Sequence, residues 1–361
     1  MSATFDSAPT QNNFEKLRTV VSEHFQVEEA LIEYNIPTFY LRQPQETKQA
    51  FLRLLRKLDE MNSVAFLRRI DGRVVLKIFP KPVSKPSNVL VNWLLFLATI
   101  GTTFVTGYML SRDLAIIGGA IDPVLGGATF TIAIMAVLGL HEMGHKLTAN
   151  KNAIEATPPY FIPGPPPIFG GFGTFGAVIV QRSLPPNKDI LFDIGFSGPI
   201  VSFIMAVAAT AIGSTMAIPA QQVEEATTLP VSLITIFIWS LLIHFKLIPL
   251  PSQGQILYTH PVEFAGWVGL LVTVLNLLPV AMLDGGHIAR ALVGDKARAI
   301  LAAASILLLV IKGFWLFALF VLFSSSQRHP GPLDDVSSLS RRRKILAVAL
   351  VVIFVLAFPI F

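Results

Sequence analysis

Ala128–Lys151 reads ATFTIAIMAVLGLHEMGHKLTANK, an apolar run that closes on His141-Glu142-Met143-Gly144-His145. On a helix, His141 and His145 stand four residues apart, one turn above the other on a common face. Two imidazole nitrogens can then share one metal ion, with Glu142 beside them as general base toward water. The bland alternative is a chance pair of core histidines. Ionisable groups at membrane depth are costly and mark function, which favours the site. A catalytic zinc needs a third protein ligand and an open position. Asn276-Leu277-Leu278-Pro279-Val280-Ala281-Met282-Leu283-Asp284-Gly285-Gly286-His287 offers one far downstream. There Asp284 precedes two glycines that admit a second backbone closely, and His287 is its rival.

Composition bounds the class. Of 361 residues, 53% are hydrophobic and 14% charged, the balance of an α-helical polytopic membrane protein. The absence of cysteine excludes disulfides, thiolate zinc ligands and a cysteine nucleophile. At a net charge of +5, the Lys and Arg residues read as membrane-flanking anchors rather than a nucleic-acid surface. The first stretch, about eighty polar residues, reads as neither a signal peptide nor a transit peptide.

The two motifs together, HExxH in one span and N-x-x-P-x(3)-L-D-G-G at the end of a later one, resemble the site-2 protease family of intramembrane zinc metalloproteases. The resemblance covers most of the chain from the first span onward. It implies that His141, His145 and Asp284 bind Zn2+, that Asp284 rather than His287 is the third ligand, and that Glu142 is the catalytic base. It also favours Asn276 as the group that polarises the scissile carbonyl or steadies the oxyanion. A bond from Asn276 to a neighbouring helix stays open.

Residues 1–80 read as a small soluble α+β domain, 81–88 as a linker and 89–361 as a transmembrane metalloprotease domain. In the first of these, ETKQAFLRLLRKLDEM has apolar residues at helical spacing and PTFYLR reads as a strand. VAFLRRIDGRVVLKIFP reads as a hairpin turning at Asp71-Gly72. About six to eight membrane segments are expected beyond it. These include Val89 to Leu110, the HEMGH span, Ile190 to Ser214, Val262 to Val280 and Lys344 to Phe361. Ala297 to Phe323, interrupted by Lys312-Gly313, reads either as one tilted span or as a hairpin. Asp193, near the edge of its span, reads as structural.

PPYFIPGPPPIFGGFGTFGAVIVQRSLPPNK is apolar yet too rich in Pro and Gly for a regular spanning helix. It reads as a re-entrant, β-like loop, with Gly173 to Val180 as a strand beside the metal. A substrate helix must unwind before its peptide bonds can be reached, and an edge strand can hold it extended. Gly173, Thr174, Phe175 and Gly176 are the candidate substrate-binding residues, and the run resembles the corresponding loop of archaeal and plant-chloroplast members. An extramembrane loop with ordinary turn chemistry is the alternative. Leu233 to Leu247 poses a parity problem: as a full span it would put Asp284 on the opposite side from His145. A short interfacial or re-entrant helix is therefore expected there.

The function these residues predict is intramembrane zinc endopeptidase, with transmembrane protein substrates and membrane lipid as partners and no nucleic acid. Lys81 and Lys85 favour a cell membrane with the zinc site toward the cytoplasm. The alternatives are a zinc transporter or a catalytically silent scaffold. A transporter would spread its ligands along a path and often repeat its fold.

Overall fold

The computed structural model describes residues 11–82, 88–222, 229–248, 251, 254–280, 283–325 and 330–360. Residues 83–87 of the expected linker, part of the polar loop from Gln221 to Glu225, and His329, read from sequence as an ordinary surface histidine, lie outside these. The chain forms two compact units: residues 1–86, 184–191 and 330–341 make one, and the remainder the other.

In the first unit, α1 (Gln11–Ser22), β1 (Val27–Glu33), β2 (Ile36–Leu41), α2 (Lys48–Glu60), β3 (Ser63–Ile70) and β4 (Arg73–Pro80) follow in order. The sheet is antiparallel, ordered β1-β2-β4-β3. Its hairpin turns at Asp71-Gly72, both with positive φ, the backbone that an Asp-Gly pair accommodates. Phe51, Leu54 and Leu58 of α2 recur at helical spacing and are buried with Phe39, Leu67 and Leu76 of the sheet. The unit is larger than the N-terminal stretch the sequence marks out. Leu67 of β3 donates to the Leu333 carbonyl at 2.9 Å, Asp335 donates back to Leu67 at 3.1 Å, and Leu333 donates to Pro185 at 2.8 Å. The 330–341 segment thus covers the edge of β3 that would otherwise stand open, and 184–191 pairs with that segment in turn.

The second unit holds the helices. α3 (Val89–Ile116), α4 (Pro123–Lys151) and α5 (Lys188–Thr215) are the three described helices long and apolar enough to cross a membrane. Between α4 and α5 lie β5 (Tyr160–Pro163) and β6 (Thr174–Val178), an antiparallel pair joined by a Pro/Gly loop and one 3-10 turn. Then follow β7 (Ile218–Gln221), α6 (Leu233–His244), β8 (Gln255–Tyr258), α7 (Pro261–Leu277), α8 (Asp284–Leu292), α9 (Asp295–Ile311), α10 (Trp315–Ser325) and α11 (Arg341–Ala357). The expected count of six to eight segments resolves to three long helices and a set of shorter ones. α9 and α10 meet at Lys312-Gly313 as a hairpin, Gly313 taking positive φ.

At 12 residues α6 is roughly 18 Å long, well short of a hydrocarbon core of about 30 Å. It is held by one buried carboxylate: Glu263 of α7 accepts from Trp239 Nε1 of α6 and from Ser214 Oγ of α5, each at 2.8 Å. β7 and β8, either side of α6 in sequence, pair Gln221 with Gln255. The helices that set the site pack through small residues. A Cβ on Gly269 of α7 would fall 2.8 Å from Val137 of α4, and one on Gly144 of α4 would fall 2.7 Å from the Ser197 carbonyl of α5. Exposed Leu94 and Leu97 on α3, Leu307 and Ile311 on α9 and Val348 and Val351 on α11 give these helices apolar outer faces suited to lipid.

Candidate metal centre

His141, Glu142 and His145 are buried on the inner face of α4. Asp284 reaches them from a different kind of position than the end of a span. α7 stops at Leu277, and after a short turn Asp284 opens α8, where the unsatisfied amides of a helix start favour a carboxylate. The turn is tight: a Cβ on Gly285 would fall 2.1 Å from the Leu277 carbonyl. Close backbone approach is what the paired glycines provide there.

His141 Nε2 and His145 Nε2 stand 3.0 Å apart. Asp284 Oδ2 is 3.2 Å from the first and Oδ1 3.3 Å from the second. A tetrahedral zinc with bonds of 2.0–2.1 Å separates its ligand atoms by about 3.3 Å, so the three donors are nearly at coordination spacing. Their protonation leads to the same conclusion. His145 Nδ1 lies 2.8 Å from the Ile194 carbonyl, which only accepts, so Nδ1 carries a hydrogen and the neutral ring keeps its lone pair on Nε2. Asp284 Oδ2 is buried without a hydrogen bond. Lone pairs crowded this closely repel unless a cation lies among them.

The space for that cation is kept by a glycine. A Cβ on Gly198 of α5 would fall 2.2 Å from His145 Nε2 and 2.8 Å from His141 Nε2. Among the described residues, His141, His145 and Asp284 are the one group of three or more such side chains that could hold a metal ion. His287 is not in it; its Cβ would stand 3.1 Å from a Cβ on Gly195 of α5. Glu142 Oε1 is 4.0 Å from His141 Nε2, beside the cluster rather than in it, and the backbone amide of Ile179, one residue past β6, acts on its carboxylate.

Asn276 sits in the last turn of α7, half-buried, with no hydrogen bond to these four residues among the described ones. The Gly173–Gly176 run is fixed at one end. Gly173 has positive φ, its carbonyl accepts from Thr102 Oγ1 at 2.6 Å, and a Cβ there would strike Thr106 of α3. Thr174 Oγ1 donates to Ile162 across the pair, while Phe175 points outward, 72% exposed. The sheet has two strands, so β6 has no second strand partner among the described residues. Asp193 makes a bidentate pair with Arg343, accepting from its Nε at 2.7 Å, as a structural carboxylate would. Sequence reading missed Gly198 as the residue that keeps the cluster open. Its only sequence signal is a place between Ser197 and Pro199, a small residue and a proline that suit close helix contact.

The model for peptidase family M50 matches residues 129–319, more than half of the chain. Three curated proteins of Arabidopsis thaliana are similar to it. The probable zinc metalloprotease EGY1, chloroplastic, is 25% identical over 345 residues, covering 84% of this chain and 60% of its own length. The probable zinc metalloprotease EGY2, chloroplastic, is 26% identical, covering 73% and 48%. The probable zinc metallopeptidase EGY3, chloroplastic, is 28% identical, also covering 73% and 48%. The chain thus spans about half of the length of such relatives. No solved structure matches it. With HExxH and the downstream Asp-Gly-Gly turn both inside the matched region, the chain belongs to peptidase family M50, that of the site-2 proteases.

Proposed function

We propose that the protein is an intramembrane zinc endopeptidase that cuts peptide bonds in or near membrane-spanning segments of other proteins. The observation that carries this reading is the convergence of two buried histidines and one carboxylate, at coordination spacing, with a fourth carboxyl alongside that need not bind the ion. His141, His145 and Asp284 hold Zn2+, which when bound polarises the scissile carbonyl and lowers the pKa of water. Glu142 takes the proton from the attacking water and returns it to the leaving amine. Asn276 serves the oxyanion once substrate has drawn it in.

The free edge of β6 holds the unwound substrate by strand addition through Gly173–Gly176. Its support is the course of the chain, which runs from the end of β6 at Val178 past Glu142 at Ile179. The shorter apolar helices complete a multi-pass bundle of about six to eight segments. Residues 1–80 lie outside the bilayer, and the basic residues near 81–85 and 341–344 face the cytoplasm of a cell membrane. A zinc transporter is disfavoured because the donors meet at one point rather than along a path.

Purified full-length protein in liposomes, offered membrane-spanning peptides, tests the reading. Cleavage should stop on zinc chelation, return with zinc, and be absent in Glu142→Gln at unchanged zinc content. Zinc flux by wild type and Glu142→Gln alike, with no cleavage by either, would overturn it.

A further inference from the structure

One buried chain of hydrogen bonds ties the metal cluster to two neighbouring helices through side chains to which the reading above gives no role. His141 Nδ1 of α4 lies 3.1 Å from Ser202 Oγ of α5. Ser202 Oγ lies 2.9 Å from Thr273 Oγ1 of α7, and Thr273 Oγ1 lies 2.8 Å from the Gly269 carbonyl. Ser202 Oγ is also 3.2 Å from the Pro199 carbonyl. Ser202 and Thr273 are both wholly inaccessible to solvent. Three helices therefore meet at a single point behind the first histidine.

The direction of the hydrogens follows from the two ends. Carbonyls only accept, so a bond at the Gly269 or the Pro199 oxygen must use a hydroxyl hydrogen. If Thr273 donates to Gly269, Ser202 donates to Thr273 or to Pro199. If Thr273 donates to Ser202 instead, Ser202 still donates to Pro199. Two hydroxyl hydrogens and one on Nδ1 can fill three of these four contacts, against two if Nδ1 is bare, so the fullest pairing has the Ser202 oxygen accepting from His141 and, in the neutral ring, leaves Nε2 bare. The reverse tautomer would put a hydrogen on Nε2, 3.0 Å from His145 Nε2, and remove the lone pair the cluster needs. His145 obtains the same result from a backbone carbonyl, Ile194, but His141 depends on a side chain.

The geometry points to Ser202, backed by Thr273, as the positioning residue that sets the tautomer and ring angle of His141 as a metal ligand. This rests on the reading of His141 as a ligand. Neither hydroxyl touches substrate. Each acts through the imidazole, as outer hydrogen-bond partners of metal ligands do.

The test compares His141→Ala, Ser202→Ala, Thr273→Val and Ser202→Thr in the full chain. Zinc affinity is read by chelator competition and ligand-field strength by the visible spectrum of the cobalt(II)-loaded protein. Ser202→Ala should weaken zinc by about 10- to 100-fold and shift the cobalt bands. Ser202→Thr, which keeps the oxygen, should restore both, and Thr273→Val should fall between. A hydroxyl that merely filled space would leave the cobalt bands unmoved. Wild-type affinity and spectrum in Ser202→Ala overturn the assignment. Should Ser202→Ala fail to fold, Thr273→Val decides alone, and a wild-type spectrum there overturns it equally. His141→Ala separates the two levels: unchanged zinc in that variant refutes the metal site itself, whereas lost zinc there with intact Ser202→Ala refutes only the role of Ser202.

Discussion

Gly198→Ala is the smallest perturbation that reaches the metal cluster. The added carbon would fall 2.2 Å from His145 Nε2 and 2.8 Å from His141 Nε2, where ordinary contact begins at 3.4 Å. One ring, or the α5 backbone, must retreat by about 1 Å, against a tolerance near 0.2 Å in metal–ligand distance. A site worth about 10–16 kcal/mol over four positions gives roughly 3 kcal/mol per ligand, or on the order of 100-fold in affinity. Zinc affinity by competition with a chelator of known strength is the assay, with correct folding checked by size-exclusion elution and circular dichroism. Gly101→Ala is the matched control: it lies within α3, has ordinary φ, and a Cβ there meets nothing within 4 Å. It should bind zinc as wild type does. Wild-type affinity in a folded Gly198→Ala protein would show that no ion lies between the two imidazoles.

Other outcomes follow from the same geometry. Asp284→Ala should lower zinc content and cleavage together, because one of three ligands is lost, whereas Glu142→Gln should lower cleavage alone; metal analysis beside a cleavage assay distinguishes them. Phe51→Ala, at the centre of the first unit, should cost about 3–5 kcal/mol of that unit's stability, read from denaturant titration of the full chain. Glu33 accepts from Tyr40 Oη at 2.7 Å and pairs with Lys77 at 3.0 Å, and these hold its carboxyl below the usual value. A carboxyl lowered in the folded state stabilises above its unfolded pKa and loses that contribution as pH falls through the folded one. The thermal midpoints of wild type and Tyr40→Phe should therefore differ near neutrality and converge in acid. Single cysteines, in a chain that has none, should label Gln221 and Gln255 from one face of the membrane and Asn150 and Asp295 from the other; labelling of Gln221 and Gln255 from opposite faces would break the shared-metal topology.

What could be read from the sequence was whatever leaves a local signature. The four-residue spacing of His141 and His145 is a property of one helix, and the Asp71-Gly72 turn is a property of two residues. The shortness of α6 followed from a constraint: His145 and Asp284 could share an ion only if the segment between them did not cross. α7, by contrast, ends at Leu277, three residues sooner than its hydropathy suggested, because the backbone must turn for Asp284 to head a helix. The segments 184–191 and 330–341 carry no periodicity, since the bonds that join 330–341 to β3, and 184–191 to 330–341, are made by backbone that any sequence could offer. Nor did α1 or β1 stand out, being polar and half-exposed. Ser202 and Thr273 look like any small hydroxyls in apolar helices. Their importance lies in what three helices bring to one point, which no single stretch records.

The distance along the chain between the ligands has a consequence for how such a protein is made. Asp284 is 139 residues after His145, with α5, α6 and α7 in between. At a synthesis rate of about 5–20 residues per second, the third ligand leaves the ribosome on the order of ten seconds after the first two. Until then α4 offers an ion only two nitrogens, one protein ligand short of a catalytic zinc site. A nascent chain that stalls, or is truncated before α8, carries the full HExxH signature without the proposed third ligand. On the proposed ligand set, the break between α7 and α8 makes the site complete only after α5, α6 and α7 have been made.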